Sequence, residues 1–175
     1  MAITLPVPPN PKDWQRGSAE APVTLIEYGD FQCEDSAAAY PVIKRLLEDQ
    51  GERLRFIFRH LPLTDIHIHA LDAAKAAEAA GALGRFWEMH DALYEHSPRL
   101  NRPDLRRYAE EIGLEGERFE QELANPQAYA GVREDVDGIR PTGIGSTPTF
   151  FINGEHYEGP ATLEALAEAI ARAAG

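Results

Sequence analysis

Hydrophobic and polar positions in this chain follow two periods, and the change from one to the other outlines the fold. Val23-Thr24-Leu25-Ile26-Glu27-Tyr28 is dense in β-branched and large apolar residues and stops at Gly29-Asp30, the mark of a buried strand. From Ser36 to Gln50 the apolar residues Tyr40, Ile43, Leu46 and Leu47 fall at helical spacing, with Gly51 as a stop. Pro41 inside that run predicts a kink or a restart. Leu54-Arg55-Phe56-Ile57-Phe58-Arg59 alternates and reads as a second strand, ending at His60-Leu61-Pro62. Strand, helix and strand joined this way make a parallel βαβ unit.

From about residue 68 to 140 the pattern turns helical. An Ala-rich run over 70–82 permits close helix approach, and Phe86, Met89, His90, Leu93 and Tyr94 form a helical stripe. Three further helices are expected over 104–112, 115–123 and 127–139, the second presenting a solvated acidic face. Strand signal returns at 149–152, Asn153-Gly154 is a two-residue hairpin turn, and 156–158 is the return strand. An amphipathic helix over 162–174 ends the pattern. The prediction is an α/β fold, a small mixed sheet in βαβ…ββα order with helices on both faces. Residues 21–66 and 141–175 supply the sheet, and 67–140 form a helical insertion. Residues 1–20, with Pro6, Pro8, Pro9 and Pro11, predict an extended arm with one short strand near Ile3–Val7.

Charge narrows the partners. With 17 Lys and Arg against 29 Asp and Glu the net charge is −12, which argues against nucleic acid and anionic membrane surfaces. No segment approaches a membrane-spanning length, and the N-terminal residues lack the basic and apolar regions of a signal peptide. A cytoplasmic location is therefore expected, or a periplasmic or secreted one if a signal has been removed.

Cys33 is the only cysteine, at the turn from the first strand into the first helix. A helix N-terminus favours an anion by about 0.3–1 kcal/mol. The carboxylates of Glu34 and Asp35 oppose it; one at ~6 Å with an effective dielectric of ~40 costs roughly 1.4 kcal/mol. A strongly activated thiolate is not expected. Three residues on stands Ser36, so no internal disulfide can form. His67 and His69, with Asp65 and His60 nearby, invite a metal reading, but no second ligand group completes four, and no metal is expected. His90 is expected in the core. Glu27 reads equally well as a buried carboxylate or an exposed edge position. Gly143-Ile144-Gly145 lacks the third glycine of a dinucleotide fingerprint.

Four ordered segments carry a resemblance: Tyr28 to Cys33, Phe58 to Leu63, Phe86 to His90, and Gly145 to Gly154. Together they resemble the DsbA-like branch of the thioredoxin fold, the protein disulfide oxidoreductases, in a Cys-x-x-Ser form. The resemblance implies a nucleophile at Cys33 and Ser36 where the resolving cysteine stands. It also implies a cis Thr147–Pro148 bond against the thiol, with the Thr147 backbone pairing with an extended substrate. Ser36 is expected to cap the helix or to donate a hydrogen bond to the thiolate. Phe31, Thr147, Glu34 and Asp35 are the expected substrate contacts.

The leading expectation is a monothiol oxidoreductase. Cys33 forms a mixed disulfide with a disulfide-containing or glutathionylated protein, or with a small thiol, and an external thiol such as glutathione resolves it. No other cofactor is expected. The alternative is a redox-inactive module that binds a peptide or protein in the groove beside Pro148. A third reading resembles the kappa-class glutathione transferases, whose first motif position is serine; the cysteine here counts against it.

Overall fold

The computed structural model describes residues 2–175. The apolar run at Val23–Gly29 is the middle strand, β2, of a five-stranded sheet. It pairs in parallel with β3 (Leu54–His60) and antiparallel with β4 (Thr149–Ile152). Two short edge strands, β1 (Trp14–Arg16) beside β3 and β5 (Glu155–Tyr157) beside β4, complete the order β1-β3-β2-β4-β5. Asn153 and Gly154 turn the β4–β5 hairpin with φ of 48° and 86°, the left-handed pair that this tight turn requires.

Because β2 is central, both of its faces are buried. Val23, Leu25 and Glu27 point into the larger core, and Ile26 and Tyr28 into the smaller one. The larger core is covered by α1 (Glu34–Gln50) and α7 (Leu163–Ala173), with α2 (Ala70–Ala82), α3 (Phe86–His96), α4 (Arg102–Glu111) and α5 (Gly116–Ala124). The other face meets α6 (Pro126–Ile139) and the N-terminal segment through Ile3 and Leu5. Helix α2 packs against α3, α5 and α6, and its buried side chains are all alanine, which lets those neighbours approach closely.

Several local expectations are corrected. The Ile3–Val7 stretch makes only an isolated bridge, Thr4 to Glu155, while the edge strand lies at Trp14–Arg16. Three residues are too few to show a period. They are held by their side chains: Trp14 stacks on Phe86 at 4.3 Å, and its indole N–H donates to Glu78 at 2.7 Å. Helix α1 begins at Glu34 and runs through Pro41 as one element.

The proline-rich N-terminal segment is strapped down by Arg59. Its guanidinium donates to both Asp13 oxygens, to the carbonyls of Val7 and Pro8, and to the Tyr28 hydroxyl, at 2.7–3.1 Å. All five donors of the side chain are thereby used. Arg59 and Asp13 are almost fully buried, so removing one partner strands a charge. Asp13→Ala is expected to cost about 3–5 kcal/mol in urea unfolding, and adding Arg59→Met is expected to restore part of that loss.

Candidate active site

The turn after β2 is organised by Asp30, which is 1% exposed. Its Oδ1 accepts from the amides of Gln32 (2.8 Å) and Cys33 (3.2 Å). Its Oδ2 accepts from the Leu63 amide (2.9 Å) and from the His67 ring Nδ1–H (2.8 Å). One carboxylate thus joins the end of β2, the first turn of α1 and the loop that follows β3. The Gln32 side chain adds a second tie to that loop, accepting from the His69 amide at 2.7 Å. His67 and His69 are therefore parts of the loop's anchorage.

Cys33 is the N-cap residue of α1, in extended conformation, and the cap carries no side-chain hydrogen bond. Its thiol donates to the Thr147 carbonyl at 3.4 Å. The β2–β4 register sets Tyr28 opposite Thr149, which carries Thr147 and Pro148 to the end of β2 beside the thiol. The Thr147–Pro148 peptide is cis. Thr147 is 8% exposed and its Oγ1 has no partner among the described residues.

The other candidate residues divide. Glu34 and Asp35 are exposed in the first turn of α1. Ser36 does not cap the helix, because it lies inside α1, fully buried; its Oγ accepts from the Asp30 amide at 3.4 Å. Phe31 is not a surface contact. At 1% exposure it packs beneath the turn against Phe58, Tyr94, His60 and His90, with ring centroids 4.8–6.0 Å apart. An aromatic ring gains most where it leaves water entirely, and the helical layer closes over this one.

The central strand also carries a buried carboxylate. Glu27 is 2% exposed, on the central strand, so the buried reading of this residue holds. Burial raises its pKa to about 8, and the Tyr94 hydroxyl works in the opposite direction. The Tyr94 hydroxyl sits between Glu27 and Ser36, although neither contact has the geometry of a full hydrogen bond. Gly29 makes this closeness possible: a Cβ there would meet the Tyr94 hydroxyl at 2.5 Å and Phe58 at 2.6 Å. His90 is buried as expected, and burial lowers its pKa to about 4 despite the neighbouring Asp91. At neutral pH the interior thus holds a carboxyl that is mostly protonated and a neutral imidazole.

A groove of about 600 Å³ opens on the other side of Pro148. Asp35 and Ala38 of α1, the strand-entry residues Ser146 to Pro148, and His156 and Glu158 line it. Sequence reasoning missed Asp30 and Tyr94 as parts of this site. An Asp followed at two and three residues by free amides is a recognisable Asx turn, so Asp30 had a signal. Tyr94 had none beyond its stripe position.

The Glu27 shift makes the interior testable. A carboxyl whose folded pKa lies above its unfolded value contributes stability that is fully present below about 4.5 and is lost as pH rises to about 8. Glu27→Gln removes that loss. The stability of the variant relative to the natural protein should therefore rise by roughly 2 kcal/mol or more between acid and alkaline pH, levelling off above the folded pKa. Urea unfolding at several pH values measures it, and parallel pH curves for the two proteins count against a buried acid.

A family model described as Thioredoxin matches residues 9–172. A thioredoxin-like oxidoreductase from Silicibacter pomeroyi superimposes with a TM-score of 0.84 at 26% identity, covering 94% of this chain and 93% of that one. Pseudomonas aeruginosa DsbA2 gives 0.74 at 27% identity, covering 93% and 95%. In sequence the chain is 46% identical over 172 residues to the Na(+)/H(+) antiporter NhaA 1 of Salinispora arenicola, covering 98% of this chain but 26% of that protein. The chain thus spans about a quarter of the length of the curated relatives it matches. The matched model spans nearly the whole chain, and the chain belongs to the thioredoxin family, with DsbA-type oxidoreductases among its structural neighbours.

Proposed function

We propose that this chain is a thiol–disulfide oxidoreductase that works with one thiol. The observation that carries the reading is the position of Cys33, the sole cysteine, at the N-terminus of α1 and 3.4 Å from the Thr147 carbonyl. Thr147 and Pro148 beside the thiol offer an edge for an extended substrate.

The chemistry runs in two exchanges. The Cys33 thiolate attacks one sulfur of a disulfide R–S–S–R, forming Cys33–S–S–R and releasing R–S⁻, which takes up a proton. An external thiolate then attacks the R sulfur, forming a new disulfide and returning Cys33 to its thiolate. The second exchange must come from outside because Ser36, the residue nearest to a resolving position, carries a hydroxyl. Disulfide-bearing proteins and small disulfides are the substrates proposed. The ion transport named for the longer relatives is not proposed for this chain. Among its described residues no helix is long and apolar enough to cross a membrane.

A second reading, a binding module without turnover, is favoured by one observation. Ile66 and Ile68 are 70% and 81% exposed on the loop that Asp30 and Gln32 anchor beside the thiol. Large apolar side chains in such a position suit a partner surface.

Reaction with bis(2-hydroxyethyl) disulfide, followed by intact mass, separates the readings. The natural protein should accumulate one mercaptoethanol adduct that persists until free thiol is added. Cys33→Ser should form none. Ser36→Cys should pass through the adduct and end as an internal disulfide without any external thiol. A native protein that stays unmodified, yet reacts when denatured, favours the binding module instead.

A further inference from the structure

The groove beside Pro148 has an uneven charge that bears on which disulfides the site accepts. Asp35 and Glu158 line it, Glu34 stands next to Cys33, and all three are exposed. No lysine or arginine is among the lining residues; the one nearby imidazole, His156, lies 3.9 Å from Glu158. Thr147 is in the same wall, and its buried Oγ1 has no partner among the described residues. The whole chain adds a net charge of −12 to the field that an approaching molecule meets.

We infer that the site selects by charge, taking thiols and disulfides on cationic or neutral carriers and disfavouring anionic ones, glutathione included. The inference rests on the monothiol reading above and names its substrate class. A disulfide that delivers one sulfur to Cys33 lays its flanking groups across Pro148 into the groove. A lysine or arginine beside the substrate cysteine then meets Asp35 and Glu158. Glutathione brings two carboxylates and one ammonium, so its net negative charge faces the same pair. Repulsion of this kind acts over about a Debye length, ~10 Å at 0.1 M salt, and therefore weakens as salt is added.

The selectivity concerns both exchanges. In the first, Cys33–S–S–R forms and R–S⁻ leaves, so a cationic R is held near the carboxylates as the adduct. In the second, the attacking thiolate adds its own charge, and a carrier with an ammonium group offsets it. Asp35 and Glu158 are thus specificity-determining residues rather than catalytic ones.

The test compares three probes: cystamine (a dication), bis(2-hydroxyethyl) disulfide (neutral) and glutathione disulfide (net negative). Rate constants for adduct formation at about pH 8 and low ionic strength are each divided by the rate with free mercaptoethanol, which removes intrinsic leaving-group differences. The normalised order should be cationic, neutral, anionic, with cystamine about tenfold ahead of glutathione disulfide. That ratio should shrink towards one at about 0.5 M salt. It should also shrink in Asp35→Asn/Glu158→Gln at low salt, with circular dichroism to check folding. A ratio near one, or favouring glutathione disulfide, overturns the charge selection and leaves the monothiol reading standing. A native protein that reacts with none of the three overturns the monothiol reading, and the inference falls with it.

Discussion

The site depends on the four hydrogen bonds that Asp30 accepts. A buried carboxylate is costly unless donors surround it. Here three backbone amides and one imidazole supply them. Those donors come from the turn at residues 32–33 and from the loop at residues 63–67, so satisfying Asp30 fixes the thiol turn relative to the loop after β3. The Asp30 amide, donating to Ser36, extends the same network into α1. The position of Cys33 is therefore a consequence of satisfying one buried charge.

The rim of the groove and the interior of the protein differ in kind. Outward, Glu34, Asp35 and Glu158 are solvated carboxylates. Inward, burial keeps Glu27 largely protonated and His90 neutral at neutral pH. Desolvation governs the interior, while distance and salt govern the rim.

The helical layer does more than cover the sheet. Tyr94 and His90 of α3 enter the aromatic cluster around Phe31, and Ser97, just beyond α3, donates to the Phe31 carbonyl at 2.9 Å. Gly29 and the alanines of α2 provide the room for that close approach. Relatives several times the length of this chain carry a matching segment. A unit with its own sheet, cores and internally satisfied turn suits such reuse.

By itself the sequence determined the parts that depend on neighbours in the chain. Strand and helix periods identified the βαβ and ββα halves and the helical block, because the side-chain period follows from backbone geometry. Asn153-Gly154 specified its turn through local φ, and a single cysteine with serine three residues on left no internal disulfide to form. What only the tertiary structure decided is what lies beside what. Glu27 could have been exposed until β4 paired with β2 and made its strand central. Phe31 read as a surface contact until α3 closed over it, and Ser36 as a cap until the helix began two residues earlier. β1 is a strand only because β3, Phe86 and Glu78 hold it there. Burial and hydrogen-bond partners are non-local quantities, set by segments that meet only when the chain folds, and no window along the sequence contains them.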